Sequence, residues 1–225
     1  MSEQVFAVVK TIPYFSGISD QILEELTNRA VVKHFSKHTI IISEGDESGP
    51  LFVILTGKVR VFLCDAHGKE VTLSEQKAVT YFGELSLLDH EHRSASVMTL
   101  EPTTCALIPK PAFIHWVTKY PAEAGLALIQ GLTKRVRVLT ENVKSLALSD
   151  VYGRLVKVLH EKAEPIDGLH EQWQITESIS HQELANLVGS SREMVSRILK
   201  DLVEGEYIRK DGKTLKILKR LPAAW

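Results

Sequence analysis

The stretch Ser180–Leu199, SHQELANLVGSSREMVSRIL, decides the fold of the C-terminal third. Ser180 and Glu183 stand at capping-box spacing, so a helix is predicted to open there. Gly189 falls where a left-handed residue would close that helix. Ser190 and Glu193 repeat the spacing, and a second helix is expected to start at once. Two short helices joined by a glycine turn make a helix-turn-helix. Leu184, Leu187, Val188, Val195, Ile198 and Leu199 supply its packed side. Ser191, Arg192, Glu193, Ser196, Arg197 and Lys200 are left on the outer side of the second helix. Such helices present their N-terminal residues to base edges in the major groove. Arginine pairs with guanine O6 and N7, glutamate accepts from cytosine N4, and the Ser191 hydroxyl suits a phosphate. The plainer alternative is that Glu193 and Arg197 form an i, i+4 ion pair on a solvated face.

Just downstream, Tyr207–Leu218 places an Asp211-Gly212 turn between two alternating segments, the pattern of a hairpin wing. From Gly189 to Arg220 there are nine basic residues (192, 197, 200, 209, 210, 213, 216, 219, 220) against five acids (193, 201, 204, 206, 211). The local excess is +4 on a chain whose net charge is -1. Such a surface predicts salt-dependent binding to DNA.

Upstream, Ile129, Leu132, Val136, Leu139, Val143 and Leu146 recur at alternating spacings of three and four, a heptad seam flanked by charge. The seam serves either packing within the domain or a parallel homodimer. Asp150 interrupts it and Gly153 follows, so a hinge is expected near 148–153. Between Val31 and Pro109 the chain runs in short β-rich segments broken by glycine and polar turns, which predicts a jelly-roll type of β-roll. Ser19–Ala30, with Ile22, Leu23 and Leu26 on one face, reads as a helix before it. The whole is an α+β chain with three parts: a sensor over 1–120, a helix and hinge over 121–150, and a winged helix-turn-helix over 151–225.

Within the β-roll, GELSLLDHEHRSASV (83–97) sets Glu84 after a glycine and Arg93 before three small residues. Arg93 is a permanent cation with a fork suited to a phosphodiester, Ser94 adds a hydroxyl, and Ala95 allows close backbone approach. Gly83 and the segment after it can turn backbone N–H groups to an anion. Ionised Glu84 only accepts hydrogen bonds, so it suits a sugar hydroxyl. A Glu84–Arg93 salt bridge closing a surface loop is the plainer alternative. His90 and His92 lack a third ligand at recognisable spacing, so no metal is expected there.

The composition, 44% hydrophobic and 24% charged over 225 residues, is that of a globular protein. No segment reaches the ~18 apolar residues of a membrane span, and MSEQVFAVVK is not the pattern of a secretory signal. Cys64 and Cys105 lie far apart, which fits a reducing cytoplasm.

The order of β-roll, long helix and winged helix resembles the cyclic-AMP receptor family of bacterial transcription regulators over nearly the whole chain. SSREMVSRILKDL is similar to that family's recognition helix, and FGELSLL followed by RSASV resembles its phosphate-binding cassette. The resemblance implies a homodimeric, non-enzymatic regulator of double-stranded DNA that works with RNA polymerase. Arg192, Glu193 and Arg197 would read a TGTGA-type half-site, with Gln182 and the wing residue Lys213 joining the DNA-facing set. Cyclic AMP is the implied effector, held by Leu73, Gly83, Glu84, Leu85, Arg93, Ser94 and Ala95. The base-contacting pair falls at Leu139 and Thr140, placed through Leu146-Ala147, Asp150-Val151 and Gly153-Arg154. Leu139 cannot hydrogen-bond an exocyclic amine, while Thr140 keeps a hydroxyl and Asn142 lies close by in sequence. Cyclic GMP or cyclic di-GMP therefore stays open as effector, as does a haem or gas sensor, or constitutive binding. Val79-Thr80 replaces the family's Gly-Asp turn, so that strand connection should differ. A jelly-roll metal enzyme with a regulatory tail is the alternative from another class, and it lacks a ligand or nucleophile constellation.

Overall fold

The computed structural model describes residues 2–166, 172–212 and 214–222, and of Ser2 only the backbone. Contacts divide it into two units: Met1–Leu63 with Leu73–Leu139, and Cys64–Thr72 with Thr140–Trp225.

The first unit opens with α1 (Ser2–Lys10), a 3₁₀ turn at Pro13–Phe15 and α2 (Asp20–Thr27). The strands β1 (Val31–Phe35), β2 (Ile40–Ile42), β3 (Leu51–Thr56), β4 (Lys58–Cys64), β5 (Glu70–Lys77) and β6 (Thr80–Phe82) follow. Then come the short α3 (Leu85–Leu88), β7 (Ser96–Thr99), β8 (Thr103–Ile108), α4 (Lys110–Lys119) and the long α5 (Pro121–Leu148). The strands form two four-stranded sheets in the orders β1-β8-β3-β6 and β2-β7-β4-β5, the predicted β-roll.

The run LFVIL of β3 is apolar at every position because both faces of the strand are covered. Phe52 and Ile54 point into the roll with Ile42, Val59, Phe82, Val97 and Cys105. Leu51 and Val53 point outward to α1, α2, α4 and the first turns of α5. The register repeats this division on β6. Phe52 pairs with Phe82 and Val53 with Tyr81, so Phe82 stacks inside the roll while Tyr81 stacks on Phe15 in the helical layer. The Cys105 thiol, enclosed in the roll, is pushed up to about 12 by burial, which makes it inert packing.

Two helices of this layer, α1 and α4, carry no clean period in sequence and become helices through packing. Val5 and Val9 from one, with Ala112, Phe113 and Trp116 from the other, are buried. A polar clamp ties α2 to α4. Glu25 accepts from Lys119 Nζ (2.8 and 2.9 Å) and Tyr120 OH (2.6 Å), with His115 at 3.2 Å. Hydrogen bonds from Lys119 and then Tyr120 hold the Glu25 carboxyl at about 2, below its ordinary 4.5. A depressed carboxylate stabilises the fold fully above the unfolded value and loses that effect as pH falls through the folded one. Glu25→Gln is thus expected to lower the melting temperature at pH 7, and the gap should close as pH falls from 4.5 towards 2. Melting curves of both proteins across that range check it; a gap independent of pH would rule out the carboxylate charge as its source.

Val79 adopts φ 64, the left-handed region. A β-branched residue there costs about 1–2 kcal/mol. The turn before β6 is thus made by a strained valine.

In the second unit, α5 ends at Leu148 and α6 (Val151–Lys162) begins after Asp150, whose carboxylate accepts from Gly153 N at 2.7 Å. The break lies in the predicted hinge. Arg154 spans it by donating to Val188 O and Ser149 O. Then come β9 (Glu164–Pro165), β10 (Trp173–Ile175), α7 (His181–Val188), α8 (Arg192–Glu204), β11 (Ile208–Asp211) and β12 (Thr214–Ile217). The terminal hairpin is half of a four-stranded sheet, β11-β12-β10-β9, whose other strands were not foreseen because Trp173–Ile175 is too short to show alternation. Leu184, Val188, Val195, Ile198 and Leu199 join Leu155, Leu159 and Ile217 in one core.

Candidate nucleotide cavity and DNA-facing helix

The segment after β6 is where the first unit places its charge. Gly83 takes φ 82, and a Cβ there would come within 2.6 Å of Arg93 Nη1, so both the turn and the guanidinium require glycine. Arg93, 6% exposed, donates to Gly83 O at 2.7 Å and Pro50 O at 2.9 Å. Burial pulls its pKa down, and the Glu84 and Asp46 charges oppose that shift. The two bonds leave three of the five N–H groups of the fork for an anion.

Glu84 precedes α3 but does not cap it; its side chain is fully buried. It is ion-paired with Arg135 of α5, which also donates to Tyr81 O, and not with Arg93. Among the described residues this replaces the Glu84–Arg93 bridge considered from sequence. Arg135 and Gln76 are polar members of the site that sequence analysis missed.

These groups line one cavity of about 70 Å³ with Ile42, Val61, Gln76, Phe82, Leu85, Ser86, Ser94, Ala95 and Val97. Of the sequence-derived set, Gly83, Glu84, Leu85, Arg93, Ser94 and Ala95 meet here. Leu73, Leu139 and Thr140 are not among the lining residues. Leu73 lies three positions from Gln76 on β5, and residues an odd number apart on a regular strand face opposite sides. Leu139 is 42% exposed, one turn beyond Arg135. Three buried oxygens around the cavity lack a partner among the described residues: Glu84 Oε2, Ser86 Oγ and Gln76 Oε1. Buried polar atoms of this kind are uncommon and suit a polar ligand. Among the described residues, no group of three or more His, Cys, Asp or Glu could hold a metal ion.

In the second unit, Ser180 and Glu183 close the predicted capping box at 3.1 and 2.7 Å, and Gly189 is left-handed at φ 63. The cap of α8 is Ser191, accepting from Met194 N at 3.2 Å, and not Ser190. Ser190 is still engaged in closing α7, its N–H bonded to Ala185 O at 3.0 Å. Arg192, Glu193, Arg197 and Lys200 are exposed and Ser196 half-buried, all on one face. Glu193 and Arg197 form no ion pair among the described residues, whereas Lys200 lies 3.5 Å from Glu204. Ser196 Oγ is 2.7 Å from His181 Nδ1, and Gln182 Nε2 donates to Asn186 Oδ1 at 2.8 Å. Lys213, at the tip of the wing, lies outside the described residues.

A β-roll with a cavity lined by a buried guanidinium and a buried carboxylate, and a winged helix-turn-helix on the same chain, define the class of ligand-responsive DNA-binding regulators. Residues 32–120 match the cyclic nucleotide-binding domain family, and residues 153–221 match the Crp-like helix-turn-helix domain family. The cAMP-activated global transcriptional regulator CRP of Salmonella typhimurium is 30% identical over 88% of this chain and 94% of its own. The CRP-like cAMP-activated global transcriptional regulator of Mycobacterium tuberculosis is 29% identical over 90% and 91%. Among solved structures, the c-di-GMP responsive global regulator CLP of Xanthomonas campestris superposes with a TM-score of 0.77 at 25% identity, covering 90% of this chain and all of that one. The chain belongs to the CRP family of cyclic-nucleotide-binding transcription regulators.

Proposed function

We propose that the protein acts as a cytoplasmic homodimer which cAMP shifts into a form that binds a palindromic TGTGA-type DNA site. The observation that carries this reading is the cavity, with a buried carboxylate and a buried guanidinium on one small space. Arg93 and Ser94 take the cyclic phosphate, and the free Glu84 Oε2 accepts from the ribose hydroxyl. Glu84 Oε1 stays with Arg135, so the sugar is linked through two side chains to α5. The cavity itself is small, about 70 Å³. A ligand that binds one arrangement better shifts the population towards it.

Dimerisation is supported by the seam. Ile129, Val136, Leu139, Val143 and Leu146 are between 42% and 65% exposed within the chain, while Ala124, Ala127 and Leu128 face its own core. Two recognition helices one DNA turn, roughly 34 Å, apart would then read the two half-sites. The functional division is sensor 1–120, dimer helix and hinge 121–150, and DNA-binding domain 151–225, with RNA polymerase as a further partner. Leu139, Thr140 and Lys213 join the respective sites in this proposal once ligand, second subunit and DNA are present.

A second reading, with cyclic di-GMP as effector, is favoured by the likeness to the c-di-GMP responsive regulator. Calorimetric titration with cAMP, cGMP and cyclic di-GMP separates the two; absence of heat with cAMP sinks the first. For DNA, Arg192→Ala is expected to weaken a TGTGA-type site by about 1–3 kcal/mol and relax base preference. Footprinting on matched and scrambled sites checks this, and an equal loss on both would make Arg192 a phosphate contact.

A further inference from the structure

Gln76 is the polar lining residue that lies outside both the 83–97 segment and the Glu84–Arg135 pair. It sits on β5, and its Oε1 is buried on the cavity without a hydrogen-bond partner. A buried acceptor of this kind is costly until a donor reaches it.

The donors of a 3′,5′-cyclic nucleotide are few. The phosphodiester carries only acceptors. The ring closure leaves a single ribose hydroxyl, and the ionised Glu84 Oε2, itself unpartnered, is the stronger acceptor for that proton. What remains are N–H groups of the base. Ile42, Val61, Phe82 and Val97 are apolar, Arg93 and Arg135 only donate, and the hydroxyls of Ser86 and Ser94 are weaker acceptors than an amide oxygen. We propose that Gln76 is the specificity-determining residue of the effector site, its amide oxygen accepting from the exocyclic amine of the base. The assignment rests on the cyclic-nucleotide reading above. It supplies the polar base contact that Leu139, at the position where the family resemblance would place one, cannot make.

The test uses the full-length protein, cAMP, and the 3′,5′-cyclic monophosphate of unsubstituted purine riboside, which differs from cAMP only in lacking the 6-amino group. Calorimetry on the wild type should give about tenfold tighter binding of cAMP, equivalent to about 1.4 kcal/mol. Gln76→Met keeps the length and apolar volume of the side chain and should bring the two affinities together. Thermal unfolding should show Gln76→Met as stable as the wild type or more so, because an orphaned acceptor is removed. Two results would overturn the assignment: equal affinities in the wild type, or a ratio unchanged in Gln76→Met, including an equal loss for both nucleotides. Absence of binding by either nucleotide to the wild type overturns the effector reading, and this assignment with it.

Discussion

Arg135→Ala is expected to destabilise the sensor unit by about 3 kcal/mol, because it strands Glu84, which has no exposure to water, without its cation. The loss should be large because Glu84 is fully buried and loses its ion-pair partner, while the nearby Arg93 guanidinium already serves Gly83 O and Pro50 O. It should stay below the upper end of such values because Arg135 itself is 29% exposed and partly screened. Adding Glu84→Gln removes the buried charge, so the double variant should recover most of the stability. Chemical denaturation of the wild type, both single variants and the double variant forms the cycle. A double variant no more stable than Arg135→Ala would show that the loss comes from Tyr81 O or from packing, and not from the ion pair. The same cycle read with cAMP tests the link to α5. If sugar, Glu84 and Arg135 form one chain of contacts, Arg135→Ala should reduce the gain in DNA affinity that cAMP produces.

Arg93→Lys keeps the charge and should nevertheless reduce cAMP affinity about 100-fold, or about 2.7 kcal/mol. A guanidinium serves two carbonyls at 2.7 and 2.9 Å and still directs N–H groups into the cavity. An ammonium is one nitrogen with three protons and cannot span the same three directions. One carbonyl will also lose its partner, at a cost to stability of about 1–3 kcal/mol. Calorimetry and denaturation measure the two effects separately. Wild-type affinity in Arg93→Lys would mean that the phosphate is held by point charge or by backbone N–H groups, with no role for the fork.

The features legible in sequence are those whose cause is local. Ser180, Glu183 and Gly189 determine a helix and its end within one short segment, and the structure follows them closely. One residue further on, the spacing of Ser190 and Glu193 misleads. The competing bond from Ser190 N to Ala185 O belongs to the preceding helix, and Ser191 becomes the cap. Likewise the apolar run of β3 announces a strand covered on both faces, whereas α1 and α4 gain their helical form from the layer they pack into.

For the site the same distinction holds. Glu84, Arg93, Ser94 and Ala95 lie in one stretch, so the sequence by itself determined which residues gather at the cavity and which face of the second helix is exposed. Tertiary structure alone decided which charge neutralises which. Arg135, 51 residues from Glu84, took the pairing that proximity in sequence would have assigned to Arg93. It also decided that Gln76 and not Leu73 lines the cavity, through the alternation of one strand against another. A local motif states which chemistry a segment can offer. Desolvation, which acts only where distant elements close over a group, determines which partner each charge must take.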